Sequence, residues 1–197
     1  MTQEEMTRQT LQTRRITDFS VVAQLYKSRL QKDFDRSELK PLSAIRRAWD
    51  RDAYDCYGLF RGAELLGYAF FVRIGRNYLF DYLAIEAGHR DEGLGSVFLR
   101  QLAACLTEAD CVVGEVEDPD KAEDEAERAL RERRLRFYLR AGYRRTDLTA
   151  RVFGADYRIL EVPTSRDHSP DELRTVYTGL YRAILPAPFM KTQFRVD

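Results

Sequence analysis

Asp81-Tyr-Leu-Ala-Ile-Glu-Ala-Gly-His-Arg-Asp-Glu-Gly-Leu-Gly-Ser96 is the stretch on which the reading of this sequence turns. It begins with the branched and aromatic residues of a strand and passes through a charged, glycine-containing loop. Leu94, Val97, Phe98, Leu102, Cys105 and Ala109 then recur at helical spacing, which predicts a helix over about 95–109. Gly93 and Gly95 leave backbone N–H groups uncovered where that helix starts. Those groups and the helix dipole suit a pyrophosphate. A plain strand-to-helix turn needs glycine too, so the loop acquires meaning only from its surroundings.

Upstream, Tyr54–Phe60, Glu64–Arg73 and Asn77–Ile85 read as an antiparallel meander, punctuated by Arg61-Gly62 and Gly75-Arg76-Asn77. Before it, Thr13–Ile16 reads as a short strand. Thr17 and Asp18 cap a helix bearing Phe19, Val22, Leu25 and Tyr26, and Pro41 opens a second one with Leu42, Ile45 and Trp49 on one face. Downstream come a strand, Cys111–Glu117, and a helix over about 122–141 with Ala126, Leu130, Phe137 and Ala141 as its apolar face. Acids early and arginines late in that helix match its dipole. Two strands, Tyr143–Phe153 and Asp156–Val162, follow. The last helix has Ser169 as N-cap, Pro170 in its first turn and Glu172 completing a capping box. Leu173, Val176, Tyr177, Leu180, Tyr181, Ile184 and Leu185 form its apolar stripe, which predicts packing on the domain or on a second copy in a homodimer. The division expected is a lead-in over 1–12, a domain over 13–162 and a C-terminal helix and tail over 163–197.

Two nucleotide-binding patterns fit the loop poorly. In a dinucleotide fold the glycines follow the strand directly, and an acid about 20 residues on binds the ribose. Glu115 has that offset, but Glu86–Glu92 separates strand from glycine and Phe98 occupies the third glycine's place. No GxxxxGK[ST] motif is present.

A third pattern fits. Arg90-Asp-Glu-Gly93-Leu-Gly95 resembles the R/Q-x-x-G-x-G/A loop of the GNAT acetyltransferase superfamily, and Leu83-Ala-Ile85 is similar to that family's central strand end. Phe137-Tyr138-Leu-Arg-Ala-Gly142-Tyr143 resembles its second signature. The order of elements over 13–162 is similar as well. The resemblance implies an α/β (α+β) fold: a central mixed, mostly antiparallel sheet flanked by helices, here with an extra C-terminal helix. It implies acetyl-CoA as co-substrate and direct transfer of an acetyl group to a primary amine of a small molecule or peptide. A non-catalytic CoA- or acyl-CoA-binding module is the alternative.

The roles implied are as follows. Arg90, Asp91, Glu92, Gly93, Leu94, Gly95 and Ser96 hold the donor's pyrophosphate. The backbones of Leu83 and Ile85 meet the pantetheine arm, and the Leu83 amide faces the developing oxyanion. Tyr138 is the general acid, since a phenol near pKa about 10 can reprotonate a thiolate near about 8.5. Glu115 and Glu117 share one face of their strand and are the candidate bases. Asp81 is a third candidate, and His89, lying in the donor loop, is a weaker one.

Composition narrows the rest. Lys+Arg and Asp+Glu both number 32, and a formal net charge of zero argues against a nucleic-acid backbone as main partner. No all-apolar run is longer than the five residues of Tyr68–Val72, far short of the roughly 20 residues of a membrane span. The polar segment 1–10 resembles no secretory signal. Three cysteines without a CxxC pair suggest a reducing, cytoplasmic setting. His89 and His168 lie far apart in sequence, so no metal is expected.

Overall fold

The computed structural model describes residues 10–36 and 38–197. Strand β1 (Leu11–Ile16) leads into α1 (Phe19–Leu25), whose first turn is capped by the Asp18 side chain accepting from Ser20 N–H. A π-helical turn, Tyr26–Leu30, and a last turn, Gln31–Asp33, prolong α1. Then follow α2 (Leu42–Trp49), β2 (Tyr54–Arg61), β3 (Glu64–Ile74), β4 (Asn77–Ile85), α3 (Leu94–Cys105), β5 (Cys111–Glu117) and α4 (Glu125–Arg140). The chain closes with β6 (Arg144–Val152), β7 (Ala155–Val162), α5 (Pro170–Ile184), α6 (Ala187–Thr192) and β8 (Phe194–Val196).

The strands form one sheet in the order β1-β2-β3-β4-β5-β7-β6-β8. Every neighbouring pair is antiparallel except β4 and β5. Strand alternation sends Cys56, Tyr68, Phe70 and Val72 to one face, where α1, α2 and α5 cover them. Leu59, Ala69, Phe71 and Val116 go to the other face, under α3 and α4. The mixed, mostly antiparallel sheet and the C-terminal helix are as expected.

Several boundaries differ. The described part of the lead-in is already structured, because Leu11 and Gln12 pair with Arg61 and Phe60 of β2; the lead-in positions 1–9 lie outside the described residues. Helix α3 stops at Cys105, where Leu106 leaves helical geometry, rather than at Ala109. In α4 the expected apolar stripe is wrong in its first half. Ala126 and Leu130 are exposed, and the face toward the sheet runs through Arg131, Leu135 and Tyr138. The Arg131 guanidinium donates to the Asp118 carbonyl at 2.9 Å and lies 3.8 Å from Glu117 of β5, which Arg134 also binds, so polar contacts with the end of β5 rather than apolar burial set the rotation of that half.

The stripe of α5 packs within this chain: Leu173, Tyr177, Leu180, Tyr181, Ile184 and Leu185 are buried and Val176 is half-buried. The Ser169–Glu172 capping box forms at its start. Beyond it, Pro186 begins α6, and β8 adds to the edge of β6 through Ala150↔Val196 and Val152↔Phe194. Neither element is anticipated by periodicity, since three strand residues are too few to show any.

Candidate active site

The site opens where two parallel strands part. β4 and β5 pair from Asn77/Cys111 to Phe80/Gly114, and there the ladder ends. The cause lies on the other edge of β4. Phe71 pairs with Phe80 and Phe70 with Tyr82, so Asp81 is an extra residue in a β-bulge. A bulge bends its strand and raises its twist, which carries the end of β4 away from β5. β5 meanwhile stays paired with β7 as far as Glu117↔Tyr157.

This splay frees main-chain groups. Glu86 N–H donates to the Leu66 carbonyl at 2.8 Å. Hydrogen-bonded pairs alternate along an antiparallel ladder, so Ala84 and Tyr82 direct their amides at β3. Leu83 and Ile85, of opposite parity, present theirs to the cleft. The Ile85 carbonyl indeed faces that way and accepts from Arg90 Nε at 3.2 Å.

The loop after β4 makes a 3₁₀ turn, Ala87–His89, and then takes left-handed geometry at Asp91 (φ 66°) and Gly93 (φ 74°). Gly93 is the N-cap of α3 and offers no side chain to it. Among the described residues no side chain caps the first amides of the helix, which border the cleft, and Ser96 N–H turns back to the Gly93 carbonyl at 3.1 Å. Gly95 answers a different need. A Cβ there would lie 3.1 Å from Phe137 Cζ, so glycine lets α4 close against α3.

A cavity of about 640 Å³ joins these parts. Leu83, Ile85, Arg90, Asp91, Gly93, Leu94, Gly95 and Ser96 line it at one end, and Tyr138, Asp81, Glu115 and Glu117 line it further along. Two loop side chains do other things than expected. The Arg90 guanidinium is held by Asp33 at 2.8 Å, and Asp33 in turn accepts from the Tyr68 hydroxyl at 2.7 Å. Glu92 does not border the cavity; it meets His89 Nδ1 at 3.0 Å and Arg61 at 3.6 Å. His89 is thereby held between Glu92 and Glu64.

Tyr138 reaches the cavity from α4, with its ring 5.2 Å from those of both Phe137 and Tyr143. Burial pushes its phenol up to about 12, opposed by the Arg134 charge. Among the described residues nothing hydrogen-bonds to its hydroxyl, which leaves it free for a ligand.

The carboxylates divide by partner. Glu117 is bound by Arg134 and lies 3.8 Å from Arg131. Asp81 is bound by the Lys40 ammonium and the Tyr54 hydroxyl. Glu115 accepts from the hydroxyls of Tyr177 and Tyr181, both on its Oε1. Burial raises the Glu115 pKa, while the Lys40 charge and the two phenols pull it back. Of the expected bases, Glu115 makes no salt bridge among the described residues, whereas Glu117 is paired with α4 arginines.

Sequence reasoning missed Glu38, Lys40, Tyr157 and Tyr181, which also border the cavity. They come from the segment before α2, from β7 and from α5, and no common spacing joins them. Tyr177 and Tyr181 were legible only as part of an apolar stripe. His168, expected to stand alone, meets Glu161 at 2.7 Å and comes near the Cys111 thiol because β5 and β7 are neighbours in the sheet. Glu161 is also bound to Arg144 at 3.2 Å.

No family model matches this sequence, and no curated protein does. Solved structures do match. One, from Bacteroides thetaiotaomicron and described as a GNAT-family acetyltransferase, superposes with a TM-score of 0.69 at 18% identity, covering 88% of this chain and 98% of its own. The ribosomal-protein-S18-alanine N-acetyltransferase of Escherichia coli gives 0.56 at 13% identity, over 82% and 98%. A GNAT-family acetyltransferase from Elizabethkingia anophelis with acetyl-CoA bound gives 0.55 at 14%, over 77% and 97%. The chain has the fold of the GNAT acetyltransferases.

Proposed function

We propose that this protein is an acyltransferase, and more specifically an N-acetyltransferase that moves an acetyl group from acetyl-CoA to a primary amine in one direct step. One observation carries the reading. One cavity joins a helix N-terminus, the outward amides of a splayed strand, a phenol and a carboxylate, and among the described residues the helix start has no side-chain cap, the phenol no hydrogen-bond partner and the carboxylate no salt bridge.

The residues fit acetyl-CoA as co-substrate. Nothing lies within 4 Å of a Cβ built on Gly93, so a diphosphate can approach the backbone of 93–96, where the helix dipole favours negative charge. Arg90, tied to Asp33, serves this site by fixing the loop. The outward amides of Leu83 and Ile85 suit an extended amide-bearing arm, and the Leu83 N–H suits the thioester oxygen as charge develops on it. Tyr138 returns a proton to the departing thiolate. Its elevated pKa keeps it protonated at neutral pH; passing that proton to a thiolate near about 8.5 is uphill, and the step is completed as the phenolate takes the second proton from the nitrogen of the new amide. Glu115 takes the proton of the attacking ammonium. The acceptor enters from the end of the cavity bordered by Glu38, Tyr157 and Tyr181.

The test is turnover. Acetyl-CoA is incubated with a panel of diamines, polyamines, lysine derivatives and peptides, and thiol release is followed against an amine-free control. Amine-dependent release that Tyr138→Phe suppresses supports the proposal. Binding of acetyl-CoA without release, across the panel and at pH 6–9, speaks against catalysis.

A further inference from the structure

Behind Glu115 lie two phenols to which the reaction so far assigns no chemical role; Tyr181 borders the cavity, and Tyr177 lies one turn earlier on the same helix, outside its lining. Tyr177 and Tyr181 are 0% and 1% exposed, one helical turn apart on α5, and both hydroxyls donate to the same oxygen of Glu115, Tyr181 at 2.6 Å. Among the described residues no hydrogen bond ends on the second oxygen, Oε2, although Glu115 borders the cavity. A carboxylate fixed through one oxygen keeps the other available as an acceptor.

The tyrosines are themselves fixed. Their ring centroids are 5.1 Å apart, and Phe194 of β8 lies 5.6 Å from Tyr177 and 4.6 Å from Tyr181. The chain end therefore backs the pair: α5 brings the hydroxyls, and β8, paired to β6, holds the ring that packs on them. Such stacking limits the rotamers, so the hydrogen bonds reach Glu115 pre-oriented. The other charged or titratable groups that face this part of the cavity are Lys40 and Glu38 from the segment before α2, Asp81 of β4, Glu117 on the same face of β5 and Tyr157 of β7. Lys40 is bound to Asp81 rather than to Glu115. The two phenols are thus the direct hydrogen-bond donors to this carboxylate.

We propose that Tyr177 and Tyr181 are positioning residues, through which the C-terminal helix holds Glu115 ionised with Oε2 turned toward the acceptor amine. This rests on the transferase reading and adds to it an element outside the splayed-strand core. Donors to an ionised carboxylate favour that form, so removing them raises the pH at which Glu115 loses its proton.

The experiment compares pH profiles of kcat/KM for the wild type, Tyr181→Phe, Tyr177→Phe/Tyr181→Phe and Glu115→Gln. Phenylalanine keeps the ring and its packing against Phe194. The expected result is an acidic limb displaced upward by about one pH unit in the double variant, less in the single one, and absent in Glu115→Gln. Thermal stabilisation by acetyl-CoA stays at the wild-type level throughout. An unmoved acidic limb in the double variant overturns the proposal. So does a loss of acetyl-CoA stabilisation that accounts for the fall in rate, since that marks a purely structural role. If the wild type acetylates no amine, the transferase reading fails by itself. The Glu115 carboxyl resonance, assigned from Glu115→Gln, then reports on the tyrosines directly. An upward move of its titration in the double variant supports the positioning claim, and an unchanged midpoint refutes it.

Discussion

Replacing Lys40 by methionine tests the electrostatic frame beneath the site. The Lys40 side chain is 7% exposed and that of Asp81, which it binds, is 1% exposed. Asp81 also accepts from Tyr54, and the Lys40 ammonium lies 5.5 Å and 5.3 Å from the Tyr82 and Tyr181 ring centres. Burial alone lowers a lysine pKa; here the carboxylates of Asp81 and Glu115 more than reverse this and hold it above the ordinary value. Methionine keeps the length and packing of the chain but leaves Asp81 without its cation. Breaking a buried pair from one side costs about 3–5 kcal/mol. For a chain of this size that corresponds to a fall in Tm of about 6–20 °C. Asp81→Asn alone is expected to cost a similar amount, and the double variant less than the sum, with a coupling of about 2 kcal/mol or more. Urea unfolding of the four proteins at pH 7 measures it. The pH dependence follows from the sign of the shift. A lysine whose folded pKa is raised contributes fully below its unfolded value, near about 10.4, and loses that contribution as pH rises through the folded value. The coupling is therefore constant from pH 6 to 9 and declines only in strong alkali. A Lys40→Met variant within about 1 kcal/mol of wild type, or additive single changes, would refute the assignment of a buried pair.

Three further outcomes are expected. Tyr138→Phe lowers kcat by about 10²-fold or more and leaves the acetyl-CoA KM in place; steady-state kinetics that show an unchanged kcat remove the acid role. Gly95→Ala sets a methyl group 3.1 Å from the Phe137 ring, which displaces that ring and, through it, Tyr138. Overpacking of about 1–3 kcal/mol should outweigh the helix-propensity gain of about 1 kcal/mol, so urea unfolding shows a net loss and transfer slows. Ser169→Ala removes the capping box of α5 at a cost of about 1 kcal/mol, seen as a lower unfolding midpoint without effect on acetyl-CoA binding.

The two ends of the site differ in how far the sequence reveals them. The proposed donor end is local: the glycines, the splayed-strand residues and the helix start lie within Asp81–Ser96, so a single motif resemblance covers them all. Tyr138 was legible through the resemblance of Phe137–Tyr143 to the second GNAT signature, not through any periodicity of its own. The acceptor end is assembled from distant segments. Lys40 reaches Asp81 across 41 positions, and Tyr181 reaches Glu115 across 66. Tyrosine at helical spacing reads as core, and these two are core by burial while their hydroxyls are polar groups with a task. The stripe of α4 misled for the opposite reason: Ala126 and Leu130 have the right spacing, but the arginines bind carboxylates and carbonyls on the sheet side and turn the apolar residues outward.

The central claim is that the loop and helix start at 90–96 bind the diphosphate of acetyl-CoA. Thermal shift with acetyl-CoA, CoA and NAD, on the wild type and on Gly93→Glu/Gly95→Glu, tests it most directly. Ligand at about 100 times its Kd adds about 2.7 kcal/mol to the folded state, a readily measured rise in Tm. The account predicts that acetyl-CoA and CoA raise the Tm of the wild type, that NAD does not, and that the folded double variant responds to none of them. A well-folded wild type whose Tm is unmoved by either CoA ligand would contradict it.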